Sequence, residues 1–163
     1  METKLKWKKG FFSDTYNVFD NDKQIGFIKN SLFSQKSTAV INGETYEFHA
    51  RGFFNQETDI IDTSKYQVIG KIKYNAWGNK AFIEVNNEIL TWEYINNWNT
   101  KWTVSDSKGL NILFNGSSCD GQIETNEDSP IKLLLGLYVH NYYLQITTAA
   151  IICCLVPVFT ILL

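Results

Sequence analysis

From Leu133 to the last residue, Leu163, the chain carries no charged side chain. Such a run belongs either in a bilayer or in the dry centre of a domain, and its length limits the choice. Counted from Ile131 it holds 33 residues, about 50 Å of helix at the standard rise. A bilayer core about 30 Å thick takes about 20 residues. The run is too long for one simple crossing and too long for one domain centre. Its composition divides it. Ile131 to Gln145 keeps polar atoms at Lys132, His140, Asn141 and Gln145, with Gly136 as a point of close approach. From Ile146 onward the polar residues are Thr147, Thr148 and Thr160, whose hydroxyls can bond back to the helix backbone.

The body before the tail reads as strand and turn. Short runs rich in β-branched and aromatic residues, such as "TYNVF", "QIGFIK", "TYEFHA", "QVIGKIKY" and "EILTWEY", alternate with turn signals such as "DNDK", "NGE", "NAWGN", "VNNE" and "SDSKG". Asn42-Gly43 is a tight-hairpin pair. Both prolines, Pro130 and Pro157, lie outside this stretch, so no strand loses a donor. The count comes to about twelve strands. An antiparallel sheet of that size leaves edges exposed unless it closes into a barrel. A barrel that wide has a lumen its own wall cannot fill, and the apolar tail is the piece of chain available to fill it.

The strands also echo one another. Val18-Phe19-Asp20, Ile60-Ile61-Asp62 and Val104-Ser105-Asp106 share the form apolar-x-Asp, and each precedes a loop and a new apolar run. The "IG-x-I-K" steps at Ile25 and Ile69 lie 44 residues apart, and "NILFNGSSCDGQIET" reads as a third, degenerate unit. Three units of about four strands fit the range of internal duplication.

The segments "YNVFDNDKQIGFIK", "AVINGETYEFHARGFF", "DTSKYQVIGKIKY", "AFIEVNNEILTWEY" and "WTVSDSKG", followed by a hydrophobic helix, resemble in their order the tubby carboxy-terminal-like superfamily. That group includes plant LURP-one-related proteins and phospholipid scramblases. The resemblance covers nearly the whole chain and rests on structural motifs. It implies a mainly β fold, a closed antiparallel barrel of about twelve strands around a hydrophobic C-terminal helix. The group's roles include phosphoinositide binding through clustered Lys and Arg, and action on bilayer lipids. No binding site transfers residue by residue, since the chain's one arginine is Arg51, with Lys71 and Lys73 as possible neighbours.

Residues 1–145 are therefore expected to form the barrel, with its central helix starting near 130. Ser129 is the N-cap candidate, Pro130 takes the first helical position, and Glu127 and Asp128 lie at the positive end of the dipole. Residues 146–163, marked by Ile146, Ile151, Leu155, Phe159 and Leu163, are expected to continue as a membrane segment. Tyr138, Tyr142 and Tyr143 would then form an aromatic belt at the interface, and Pro157 would kink the helix unless near its end.

The remaining candidates concern lipid contact. "KLKWKK" sets Lys4, Lys6, Lys8 and Lys9 around Trp7, either as an edge strand protected by lysines or as a basic strip against anionic headgroups, about 1 kcal/mol per lysine. Trp77 in the "NAWGN" loop either caps the core or dips into a bilayer interface. A net charge of −2 gives no field for nucleic acid. Cys119, Cys153 and Cys154 make neither a disulfide framework nor a zinc site, and no metal or cofactor is expected. Asp20 and Asp22 read as turn residues. His49 lacks partners for an imidazole site, and Asp59 with Asp62, or Glu44 with Glu47, follow from strand alternation. No catalytic motif is present. Met1 precedes charged residues rather than an apolar leader, so the body is expected in the cytoplasm. The expected function is non-enzymatic: a membrane-associated, lipid-binding or scaffold domain anchored at its C-terminus, with membrane lipids as partners. The alternatives are a soluble lipid-carrying barrel and an active phospholipid scramblase.

Overall fold

A computed structural model describes residues 3–11, 13–30, 35–51, 57–117, 119–127 and 129–161, without the side chains of 149 and 152–161. Twelve strands alternate in direction: β1 Thr3–Lys9, β2 Thr15–Asp20, β3 Lys23–Asn30, β4 Lys36–Ile41, β5 Glu44–Arg51 and β6 Glu57–Asp62. They continue with β7 Gln67–Tyr74, β8 Lys80–Val85, β9 Glu88–Tyr94, β10 Lys101–Ser105, β11 Asn111–Gly116 and β12 Asp120–Thr125. Each pairs with its sequence neighbours, and β1 pairs antiparallel with β12 from Thr3↔Thr125 to Lys8↔Asp120. The sheet is a closed barrel, so no edge is left for another chain.

Helix α1, Pro130–Ile161, runs through the lumen. It enters where the chain leaves β12. There the buried ammonium of Lys132 meets Glu88 at 2.6 Å and Glu127 at 2.8 Å. Glu127 thus serves the lysine, and Ser129 starts the helix through its carbonyl, which accepts the Lys132 amide at 3.0 Å. One turn on, the indole N–H groups of Trp92 and Trp102 both donate to the carbonyl of Gly136, at 3.0 and 3.1 Å. A side chain at Gly136 would strike the ring of Phe114. Trp102 lies stacked between Phe114 (centroids 5.4 Å apart) and His140 (3.9 Å). Each fully buried large apolar side chain here contributes on the order of 1.5–3 kcal/mol.

The tyrosines depart from the sequence expectation. Tyr138 and Tyr143 are buried in the lumen and Tyr142 is half-buried, so they form no belt at a bilayer interface. Tyr138 stacks on Phe48 at 4.2 Å and shares a hydrogen bond with Thr58. Tyr142 stacks on Tyr74 at 3.8 Å, and the Tyr143 hydroxyl donates to the Lys80 carbonyl at 2.5 Å. A tyrosine needs an apolar wall and one polar partner, and the barrel supplies both.

The internal echo has a structural counterpart. The β2–β3 ladder shifts register between Val18 and Phe19, and the β6–β7 ladder between Ile60 and Ile61. Gly26 and Gly70 sit opposite these bulges, where a Cβ would press on the next strand: 2.6 Å from the Val40 carbonyl oxygen, and 2.8 Å from the Val85 Cα. Asn42 and Asn86 hold positive φ in the following turns and donate their amides to Ile25 and Ile69. Phe48, Trp92 and Trp7 are each the fifth residue of β5, β9 and β1, and each is fully buried. Two quartets, β2–β5 and β6–β9, thus match closely. The third, β10–β12 closed by β1, keeps the buried aromatic without the IG step.

Candidate functional site

Hairpin connections alternate between the two ends of the barrel, so the molecule has an end where α1 enters and an end where it leaves. Around the exit, the helix changes character within two residues. Tyr143 is buried, whereas Gln145, Ile146, Thr147, Thr148, Ala150 and Ile151 are all exposed, Ile146 at 48% and Ile151 at 53%. The Thr148 hydroxyl donates to the Leu144 carbonyl at 2.8 Å, so it makes no demand on water. The backbone stays helical through Pro157 to Ile161. The side chains of Leu155 and Phe159, with Cys153 and Cys154, lie outside the described residues, as does Leu163 entirely. Among the described residues, no helix is long and apolar enough to cross a membrane.

The basic candidates divide into two groups. Lys4, Lys6 and Lys8 line the outer face of β1, with Leu5 and Trp7 pointing inward. Lys4 pairs with Glu124 at 3.3 Å, and Lys8 lies over the Phe19 ring at 5.9 Å. Lys9 stands on the inward-facing register near the exit, 5.1 Å from the Tyr16 ring centroid. An open groove of about 360 Å³ runs between Lys6 and Lys8 on one side and Asn115, Asp120 and Gln122 on the other, over the paired backbones of Gly116 and Gly121. Its polar walls lack the apolar enclosure of a small-molecule site.

Arg51, Lys71 and Lys73 do come together, on the outer wall of β5–β7, but carboxylates come with them. Arg51 pairs with buried Asp59, Lys73 lies 3.9 Å from Glu57, and Lys71 stands in register opposite Asp59 and Glu84. Cations already matched in this way have little surplus charge for a phosphate. Trp77, for which core-capping was one reading, projects instead into solvent at 89% exposure. Trp7, Trp92 and Trp102 fill the lumen, while Trp98, like Trp77, is exposed.

The carboxylates noted in the sequence have structural partners. Glu47 holds His49 Nε2 at 2.6 Å, Glu44 accepts from Tyr46 at 2.7 Å, and Asp62 caps Ser64 and pairs with Lys65 at 3.2 Å. The Ser64 hydroxyl bond leads the effects that hold the Asp62 carboxyl below the usual aspartate value. Among the described residues, no group of three or more His, Cys, Asp or Glu is placed to hold a metal. His140 is buried against Trp102 with Nδ1 3.0 Å from the Tyr94 hydroxyl. Burial, helped by the charge of Lys9, pushes its imidazole down to about 3, so it stays neutral.

No protein family, curated protein or solved structure matches the chain.

Proposed function

We propose that this protein is a non-enzymatic, membrane-anchored barrel of tubby-like or scramblase-like kind, with the barrel in the cytoplasm. It is held to the bilayer by the part of α1 that leaves the lumen. One observation carries the reading: a single helix passes from burial among aromatic walls to an exposed stretch at residues 145–148, 150 and 151, in a sequence that carries no charge from Leu133 on. Exposed Ile146 and Ile151 face water only at a cost of about 25 cal/mol per Å² of apolar surface, and a bilayer removes that cost. The 18 residues from 146 to 163 would reach about 27 Å as helix, close to the thickness of the hydrocarbon core. A lipid-carrying barrel is disfavoured because α1 and its aromatic neighbours already occupy the lumen.

The test is alkaline-carbonate extraction of the full chain beside a chain stopped after Gln145. The full chain should remain with the membranes and the shortened one should be released, still folded. Release of the full chain would overturn the reading. Stoichiometric uptake of a fluorescent fatty acid would point to a carrier, and transfer of labelled lipid between vesicle leaflets to a scramblase.

A further inference from the structure

Two loops at the exit end are built alike. In residues 75–80, "NAWGNK", the Asn75 side-chain oxygen accepts the backbone N–H of Asn79 and of Lys80, at 3.2 and 3.1 Å. Its amide donates to Asn79 Oδ1 at 2.7 Å, and Gly78 turns the chain at φ 69°. In residues 96–101, "NNWNTK", Asn96 accepts from Thr100 and Lys101 at 3.1 and 3.0 Å, donates to Thr100 Oγ1 at 2.7 Å, and Asn99 turns the chain at φ 55°. The third residue of each loop is a tryptophan, Trp77 at 89% and Trp98 at 85% exposure. The sixth is a lysine opening the next strand, Lys80 of β8 and Lys101 of β10. The asparagines explain the loop shape; nothing in that shape asks for an indole at the tip, where a polar side chain would be solvated without penalty.

These tips share their end of the barrel with the departing helix. Ile95, 52% exposed, adds apolar surface beside Trp98. Charge is also polarised along the barrel axis. The last two residues of each strand at the exit, with Asp14, carry Lys8, Lys9, Lys29, Lys36, Arg51, Lys73, Lys80 and Lys101 against Asp14, Glu57, Glu93 and Asp120. Asp59 matches Arg51, and Glu93 lies 3.3 Å from Lys80. The turns at the opposite end carry Asp20, Asp22, Glu44, Asp62 and Asp106, against Lys23, Lys65 and Lys108. An anionic surface would therefore attract the exit end and repel the other.

We infer that the exit end of the barrel seats directly on an anionic lipid bilayer, with Trp77 and Trp98 as interfacial anchors beside Lys80 and Lys101. This rests on the proposed anchoring by α1 and fixes its orientation. Indoles at the headgroup level flanked by lysines suit a membrane–water interface. The outer stripe of β1 runs along the barrel rather than across its end, so Lys4, at the far end of the strand, stays about 13 Å behind Lys8 and faces water. Lipid contact thus moves from the β1 wall to the loop tips.

The experiment uses the full chain in vesicles of phosphatidylcholine and phosphatidylserine, some carrying lipids brominated near the headgroup end of the acyl chain. Bromine quenches tryptophans that reach the interface. Wild-type emission should be quenched strongly. The variant W77F/W98F, which keeps the three buried indoles, should lose most of that quenching, and adding Y66W at the opposite end should not restore it. Carbonate extraction of the same vesicles separates the two possible failures. A chain that resists carbonate yet shows equal quenching in wild type and W77F/W98F keeps its anchor and loses the proposed seat. A chain that washes off loses both. Exposed indoles shielded from acrylamide but untouched by bromine would mean that a protein surface covers the loops, which overturns the lipid assignment.

Discussion

Replacing Gly136 with alanine adds one methyl group at the tightest contact between helix and barrel. The new Cβ would overlap the Phe114 ring, and even ring atom Cε1 lies only 2.9 Å away. The ring cannot swing aside freely, because it is stacked on Trp102 with planes 7° apart and Trp102 is stacked on His140. Helix propensity alone favours alanine by about 1 kcal/mol. Overpacking in a rigid core costs about 1–3 kcal/mol. Pushing the helix away also stretches the two indole hydrogen bonds to the Gly136 carbonyl, each worth about 1 kcal/mol. The net expectation is a loss of about 2–3 kcal/mol, or about 5–10 °C in Tm for a chain of this size. Unfolding of the full chain in nonionic micelles, followed by tryptophan emission, measures it. Phe114→Leu in the same background should recover part of the loss, giving a coupling of at least about 1 kcal/mol in a double-mutant cycle. If Gly136→Ala proves neutral or stabilising, propensity wins and the close contact between helix and wall is refuted.

Two further outcomes concern the buried titratable groups. Burial lowers the tendency of Lys132 to stay charged, but hydrogen bonds and charge from Glu127 and Glu88 outweigh it and leave its pKa raised above 10.5. Its contribution is therefore fully present below about pH 10.5 and fades as pH rises through the higher folded value. Lys132→Met should cost about 1–2 kcal/mol, less than for a wholly buried pair because the carboxylates are free to rehydrate, and chemical denaturation should show that cost shrinking only in strong alkali. For His140 the sign reverses: with the folded pKa down to about 3 against 6.5 unfolded, stability present above pH 6.5 is lost as pH falls, by at most about 1.4 kcal/mol per unit from this group. Nitrogen-resolved NMR should find the His140 ring neutral at pH 5; a charged ring there would mean that the lumen is wet.

The strands were legible because inward residues of the wall are buried and outward ones meet water, so apolar and polar positions alternate along β1 and β10, and along β8 except at outward-facing Phe82. Closure followed from the number of strands and the need to remove edges. The tail was harder to read. A helix surrounded by barrel on all sides is apolar all round, as a helix in lipid is, so hydropathy alone could not place Tyr138 and Tyr143. Their partners, Thr58 and the Lys80 carbonyl, lie 80 and 63 residues away. The same distance problem hid the neutralisation of Arg51 by Asp59, which depends on the β5–β6 register. The twin loops were a missed signal, since Asn75-x-Trp77 before Lys80 and Asn96-x-Trp98 before Lys101 stand in the sequence with one spacing. The turn residues around Trp77 set it apart in the sequence, but only its exposure, and that of Trp98, decided between core and surface.

The division of α1 between lumen and bilayer is tested most directly by hydrogen exchange along the helix, comparing the full chain in vesicles with the same chain in a mild detergent at its lowest solubilising concentration. Residues 131–143 should be as slow as the strands in both, because the barrel encloses them. Residues 146–161 should be slow in vesicles and markedly faster in detergent, where no bilayer of fixed thickness holds them. Fast exchange of 131–143 beside protected strands would contradict the enclosed helix, and fast exchange of 146–161 in vesicles would contradict the anchor.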